Sequence, residues 1–189
     1  MEHTHAETLP ATGHEKTSLG VQALWIGVFA AFTVVGAQIE IPHQPVPYTL
    51  QTLFVLLSGA FLGKRNGAAS QCVYLCAGAV GMPVFSGFGF GLARLLGPSG
   101  GFLLGFPVAA FIVGYLIDGK TQLFRTVVGM AAGLFVIFSL GTVQLNLVYY
   151  HSWSESILQG FLIFSWWDIL KLGGATLIYQ QLSRRISGS

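Results

Sequence analysis

Two residues of opposite charge stand inside an otherwise apolar stretch near the end of the chain. Asp168 and Lys171 are separated by two residues, so on a helix they share one face and can pair. An ionised aspartate only accepts hydrogen bonds, and a lysine only donates them. The pair therefore suits a neutral ligand with both N–H and C=O groups. The alternative is an ion pair that only locks the interior of a helix bundle.

The depth of this pair favours the ligand interpretation. Each charge at the centre of a bilayer costs about 2.5–3.5 kcal/mol on insertion scales, so an ionisable group retained there indicates function. Counted back from the basic end at Arg184, Asp168 lies roughly 24 Å along a helix with a rise of 1.5 Å per residue. This places the carboxylate in the outer half of a ~30 Å hydrocarbon core.

A glycine-rich stretch, residues 81–101, is the most unusual segment. Seven glycines and two prolines in 21 residues do not form a simple helix. We interpret it as a lid or re-entrant loop whose main chain can meet a ligand. The side chains that we expect to help form a site are polar or aromatic groups in this loop and in the apolar runs: Gln51, Tyr74, Phe85 and Trp167.

The patterns of enzymes and metal sites are weak. Ser86 with His43 or His151 could suggest a serine hydrolase, but both histidines fall in loops, so we predict no catalytic residues. The glycine loop lacks the strand–turn–helix context of a dinucleotide site. Cys72 and Cys76, one helical turn apart, are too few for a metal site and read as buried small hydrophobes. We expect neither cofactor nor resident metal.

Composition defines the class of protein. Of the 189 residues, 53% are hydrophobic and 8% are charged, against about 25% charged in a soluble domain. The mean hydropathy is +0.67. These values exclude a water-soluble globular domain, a disordered chain, a coiled coil and a basic nucleic-acid-binding surface, and they predict a multi-pass membrane protein. So few charges leave no room for a nucleotide-hydrolysing domain.

The apolar runs predict an all-α integral membrane protein with six transmembrane helices. They occupy residues 19–39, 48–63, 68–82, 101–117, 124–150 and 157–182. We divide the chain into a disordered cytoplasmic tail (1–18), one transmembrane domain (19–183) and a short cytoplasmic C-terminal tail (184–189). A metal-binding histidine cluster in the first tail and a cleaved signal peptide ending near Ala37 are the alternatives for the N-terminal region.

The distribution of basic residues predicts the orientation. With six spans, seven of the nine lysines and arginines fall on the side of the N-terminus, Arg94 falls opposite, and Lys171 lies inside a span. The positive-inside rule then places both termini in the cytoplasm and the glycine loop outside, in the plasma membrane of the cell.

Small residues recur every fourth position along the first span. Ala23, Gly27 and Ala31 therefore share one face, and another helix can approach that face closely. Two interpretations stay open: ordinary packing inside the bundle, or a docking face for a partner subunit.

The chain resembles the BioY family, the biotin-specific S-components of energy-coupling-factor (ECF) transporters. The motifs that carry the resemblance are PYTLQT at 47–52, GMPVF at 81–85, LGPSGGFLLGF at 96–106 and the D-x-x-K of Asp168 and Lys171. The similarity covers about residues 19–183.

This resemblance implies an S-component bundle that binds biotin near its outer side and no enzymatic activity. It implies partners: a transmembrane coupling subunit, which docks on the face of Ala23, Gly27 and Ala31, and a pair of ATPases that alone use ATP. Gly87 and Gly89 are expected to lie at the substrate, and either Arg94 or Lys171 meets its carboxylate. The rival functions are an S-component for another small vitamin and a structural membrane subunit without a ligand.

Overall fold

The computed structural model describes residues 18–162 and 166–187. These residues are helical apart from loops and a two-stranded antiparallel ribbon, which pairs Glu40 with Thr49 and Ile41 with Tyr48. The helices and strands are α1 (Leu19–Gln38), β1 (Glu40–Ile41), β2 (Tyr48–Thr49), α2 (Gln51–Ala79), α3 (Leu92–Leu96), α4 (Gly100–Ile117), α5 (Leu123–Leu145), α6 (Trp153–Ile157) and α7 (Trp166–Ser187). A 3-10 turn covers Ser86–Phe88, and π-helical segments cover Asn146–Tyr150 and Leu158–Leu162.

Helix α2 is a hairpin folded at one glycine. Gly63 has φ 74° and ψ 177°, a combination that glycine adopts readily because it has no Cβ. Across the bend, Gln71 Nε2 lies 3.1 Å from Ser58 Oγ, whereas 13 residues of straight helix would span about 20 Å. The arms 51–62 and 64–79 are therefore antiparallel. Residues 64–67, which lie between two of the predicted spans, belong to the second arm.

Among the residues that the structure describes, four helical stretches have the length and apolar composition to cross a membrane. They are Leu19–Gln38, Gly100–Ile117, Leu123–Tyr150 and Trp153–Arg185. The chain is thus an all-α membrane protein, as its composition predicted. Helix α7 continues to Ser187, so Arg184 and Arg185 lie on its last turns. The predictions for residues 1–17 lie outside the described residues, and Ser18 is the N-cap of α1.

Helix α4 packs against both α2 and α5 and connects the two buried clusters of the core. In one cluster, Val113 and Ile117 of α4 pack with Leu56 and Met130. In the other, Phe106 and Ala109 pack with Tyr74 and Phe85. The second cluster carries the glycine loop on one end of the bundle, so it fixes the floor of the site described below.

Two sets of small residues that could have been buried are exposed in the structure. Ala23, Gly27 and Ala31 are all exposed on α1, and a Cβ at Gly27 would meet no atom within 4 Å. The interpretation that this stripe packs inside the bundle is therefore wrong. Cys72 and Cys76 are exposed as well, so their interpretation as buried residues is also wrong. Both sets face outward because a membrane protein can present small apolar residues to lipid or to a partner helix.

Candidate substrate site

A cavity lies at the end of the bundle that carries the ribbon and the glycine loop. The ribbon and the start of α2 form one wall, and α4, α5 and α7 form the others. The residues that line it are Val46, Pro47, Tyr48, Thr49, Gln51, Thr52, Phe85, Ser86, Arg94, Ser99, Phe102, Leu103, Phe106, Ile137, Phe138, Gln159, Gly160, Asp168 and Lys171. Most of the lining surface is apolar, although about half of the lining residues carry a polar side chain. Apolar walls with placed polar groups are typical of small-molecule sites.

The predicted ion pair lies in this cavity. Asp168 is 1% exposed and Lys171 is 6% exposed, and Lys171 Nζ lies 2.5 Å from Asp168 Oδ1. Lys171 Nζ also donates a 3.0 Å hydrogen bond to the main-chain carbonyl of Thr49. Asp168 Oδ1 has this ammonium as its partner. A carboxylate can accept several hydrogen bonds, so Asp168 keeps acceptor capacity for a ligand.

A chain of hydrogen bonds starts at Thr49, whose carbonyl contacts Lys171, and supports this wall of the cavity. Thr49 Oγ1 donates to Gln51 Oε1 at 2.8 Å, and Gln51 Nε2 donates to the Tyr74 hydroxyl at 2.6 Å. The Tyr74 hydroxyl donates in turn to the carbonyl of Val84 at 3.3 Å. Gln51 thus lines the cavity with its amide already held. Tyr74 is 1% exposed and lies behind Gln51, outside the set of lining residues.

The glycine loop contributes one aromatic ring and one cation. Phe85 is buried, and its ring meets that of Tyr74 edge-on at 5.5 Å between centroids. Arg94 lines the cavity from α3 and donates a long hydrogen bond, 3.5 Å, to the carbonyl of Ser86. Gly89 lies against this guanidinium: a Cβ there would stand 2.6 Å from Arg94 Nε. Gly89 therefore makes room for Arg94 and does not itself line the cavity.

A wider vestibule adjoins the cavity. It is lined by Glu40, Pro42, His43, Gln44, Pro45, Pro47, Ser86, Gly87, Arg94, Pro98 and Tyr149. Pro47, Ser86 and Arg94 line both spaces, so they mark the passage between them. The structure accordingly places Gly87 at the vestibule and Arg94 at the junction.

Tyr48 of β2 places a phenol in the cavity wall. Burial, and to a smaller extent the Asp168 carboxylate, raise the pKa of Tyr48 above its ordinary value. The phenol therefore stays protonated at neutral pH and retains an O–H that can donate. Trp167, which we also predicted at the site, lies half-buried on α7 outside the set of lining residues.

Several lining residues were missed from the sequence. Thr52 is the most informative: it is 8% exposed, and its hydroxyl has no hydrogen-bond partner among the described residues. A buried hydroxyl without a partner is costly, so a ligand group is its natural complement. Thr52 directly follows Gln51 in the PYTLQT motif, and this position could have indicated a role at the site. Nothing in the sequence indicated Gln159, because only the π-helical segment Leu158–Leu162 brings it to the cavity.

The geometry indicates binding of a small molecule. Within residues 18–162 and 166–187, no three histidine, cysteine or acidic side chains gather where they could hold a metal ion. What the cavity offers is an acceptor at Asp168, donors at Lys171 and Arg94, and aromatic walls.

Comparison with known proteins agrees with the resemblance noted above. The BioY family profile matches residues 12–188. The "Biotin transporter BioY" of Thermotoga maritima is 42% identical over 163 residues, which cover 86% of this chain and 96% of that protein. The "Probable biotin transporter BioY" of Pyrococcus horikoshii is 40% identical, covering 83% and 93%.

A solved structure shares the fold. It is titled "Crystal structure at 2.1 A of the S-component for biotin from an ECF-type ABC transporter" and superposes with a TM-score of 0.80 at 24% sequence identity. The match covers 87% of this chain and 92% of that one. With the family profile and two relatives at 40% identity or more, these findings establish that the chain belongs to the BioY family.

Proposed function

We propose that this chain captures biotin from the outer side of the membrane as the substrate-binding S-component of an ECF-type transporter. The observation that carries the proposal is the buried Asp168–Lys171 pair, which faces an apolar cavity in a chain whose relatives are named biotin transporters. Those relatives are transporters rather than enzymes, and the cavity is built for binding.

The chemistry of biotin matches the polar groups of the cavity. Its ureido ring carries two N–H donors and one C=O acceptor. Asp168, which lines the cavity beside Lys171, accepts from one ureido N–H, and Lys171 donates to the carbonyl. The Thr52 hydroxyl is a second acceptor for this ring. Phe85, Phe102 and Phe106 line the same cavity and provide aromatic surface for the apolar thiophane ring.

The carboxylate of biotin is assigned to Arg94. Lys171 already contacts Asp168 and the carbonyl of Thr49, whereas Arg94 is at the junction of cavity and vestibule. A ligand with its ring against α7 extends its flexible chain toward this junction. An arginine there can form a charge-assisted, bidentate contact with the carboxylate.

The proposed topology has six spans in the plasma membrane, with both termini inside. In this topology the two antiparallel arms of α2 are the second and third spans. At the end of the bundle away from the cavity, Lys64 stands 5.2 Å from the centroid of the Tyr115 ring, and Gln180 bonds to the carbonyl of Thr121. The basic residues of the bend and of the α4–α5 loop therefore gather at one end, which supports that end as cytoplasmic.

Cysteine labelling tests this topology. In a background without Cys72 and Cys76, which are exposed, single cysteines at Ser99 and Ser154 are expected to react with an impermeant reagent from outside. Cysteines at Asn66 and Ser187 are expected to react only after the cells are opened. Reaction of the Asn66 position in intact cells would reverse the orientation.

The proposed partners are a transmembrane coupling subunit and its pair of ATPases, which alone consume ATP. Support comes from the exposed small-residue stripe Ala23, Gly27 and Ala31, together with the fold shared with an S-component. A helix of the coupling subunit could approach α1 closely along this stripe.

Thermal unfolding with a panel of vitamins tests the function. Biotin at a thousandfold excess over its dissociation constant is expected to stabilise the chain by about 4 kcal/mol, because it binds only the folded state. Thiamine and riboflavin are expected to leave the midpoint unchanged. Stabilisation by another vitamin but not by biotin would favour an S-component of different specificity. No stabilisation by any of them would favour the structural subunit.

A further inference from the structure

The tight turn in the glycine loop contains a bulky residue in an unusual conformation. Gly89 N donates to the carbonyl of Ser86 at 3.2 Å, and Phe85 N donates to the carbonyl of Gly89 at 3.0 Å. The two residues between Ser86 and Gly89 have positive φ angles, 61° at Gly87 and 54° at Phe88. Two consecutive left-handed residues are the signature of a type I′ turn. The conformation is ordinary for glycine but strained for phenylalanine.

The side-chain amide of Gln38, the last residue of α1, holds this turn. Gln38 Nε2 donates to the carbonyl of Phe85 at 3.1 Å, and Gln38 Oε1 accepts from Phe88 N at 3.1 Å. The Phe88 ring is 67% exposed, so the main-chain bonds rather than burial of the ring fix the residue. Strained conformations persist where the surroundings over-determine them, often at ligand-binding sites.

The turn sets the wall of the substrate cavity. Phe85, at its start, is 1% exposed and lines the cavity together with Ser86. The carbonyl of Ser86 accepts a hydrogen bond from Arg94. A shift of the turn would therefore move an aromatic wall and the cation at the junction together.

We propose that Gln38 is a positioning residue for substrate capture: it holds the strained Gly87–Phe88 turn against α1 and thereby fixes Phe85 and Arg94 at the cavity. Its role in affinity rests on the proposed function. Gln38 lies seven residues beyond Ala31, about 10 Å along the same helix. One rigid helix thus connects the proposed docking stripe to the wall of the site.

The test combines hydrogen exchange, calorimetry and a second-site rescue. In Gln38→Ala, the Phe88 amide loses its acceptor and is expected to exchange at least tenfold faster in the ligand-free protein. Biotin affinity is expected to fall about tenfold. Phe88→Gly removes the strain that the amide opposes, so the double variant is expected to recover affinity to within threefold of the parent. A general loss of folding would not be repaired by that glycine.

Gln144→Ala is the matched control. Gln144 Nε2 holds the far end of the same loop through the carbonyls of Leu95 and Gly97, each at 2.8 Å. The left-handed residues of the turn lie outside that segment. Phe88→Gly is therefore expected not to restore any affinity lost in Gln144→Ala. Rescue of both glutamine variants would show a non-specific effect of the glycine and overturn the proposal.

The remaining outcomes separate the two proposals. If the parent chain binds no biotin, the proposed function fails. Hydrogen exchange at Phe88 then still tests whether Gln38 holds the Gly87–Phe88 turn. If the parent binds biotin and Gln38→Ala binds it equally well, the positioning role fails. Should Gln38→Ala not fold, Gln38→Glu retains the acceptor for Phe88 N but cannot donate to Phe85. Slow exchange at Phe88 with weakened binding is expected there, and unchanged binding contradicts the proposal.

Discussion

Lys171 on the last helix donates a 3.0 Å hydrogen bond to the main-chain carbonyl of Thr49, 122 positions earlier in the chain. The ammonium is thus fixed by the ribbon as well as by Asp168. An ion pair that only stabilised the bundle would not need to lie in a cavity wall. Here both Asp168 and Lys171 line the cavity, so the arrangement favours a role in binding.

Asp168→Asn is expected to weaken biotin binding by about 10- to 150-fold. Asparagine keeps the shape of the side chain but loses the charge, and hydrogen bonds to charged groups are worth about 1.5–3 kcal/mol. It also leaves Lys171 buried without its counter-ion. Calorimetric titration measures the change. The control is Asp118→Asn at an exposed position, where affinity should not change. Normal binding by Asp168→Asn would make the pair structural.

Thr52→Val tests whether the unpartnered hydroxyl meets the ligand. Valine has the same shape, so we expect biotin affinity to fall about three- to tenfold, the worth of one neutral hydrogen bond. The ligand-free protein should unfold at a higher temperature, because a buried hydroxyl without a partner is removed. Thr142 is the control, since its hydroxyl is also buried and unpartnered among the described residues but lies outside the cavity lining. Thr142→Val should raise stability without changing affinity.

Arg94→Gln tests the assignment of the carboxylate. Loss of a charge-assisted contact should weaken biotin binding about 10- to 150-fold. Biotin amide, which has no carboxylate, should bind the variant and the parent with similar affinity. Titrations of both proteins with both ligands measure the coupling. An equal loss for biotin and its amide would mean that Arg94 shapes the loop and that another group meets the carboxylate.

Gly27→Trp separates docking from binding. The position is open on the outward face of α1, so the fold and biotin affinity should be unchanged, while uptake by cells should fall at least tenfold. The indole would hold the partner helix away from a face where close approach is needed. Val128→Trp on α5, at a residue 43% exposed, is the control and should leave uptake normal. Loss of biotin binding by Gly27→Trp would contradict a docking role.

The sequence predicted the features that depend on unusual residue types in an apolar chain, namely buried charges and a high density of glycine and proline. Asp168 and Lys171 are two opposite charges in an apolar segment, and their spacing predicted that they share one helix face. Both line the cavity. Glycine and proline density identified the loop that supplies Phe85 and Arg94. The start of α1 at Leu19 followed from the change in composition after the polar N-terminal stretch.

Other features were beyond pattern reasoning. Lipid-facing and buried surfaces of a membrane protein are both apolar, so hydropathy could not show that Cys72 and Cys76 face outward. The single-residue reversal at Gly63 depends on backbone angles rather than on the charged residues that follow it. Tyr74 carries the right group for a ligand, yet only the tertiary fold shows that Gln51 stands between it and the cavity.

Isothermal titration calorimetry of the detergent-purified full chain with biotin tests the central claim most directly. The site lies within one chain, so we predict saturable binding of one biotin per protein, without ATP and without any partner subunit. Asp168→Asn measured alongside should show the weakened affinity given above. No heat of binding and no shift in the unfolding midpoint with biotin, combined with binding of another vitamin, would contradict the account.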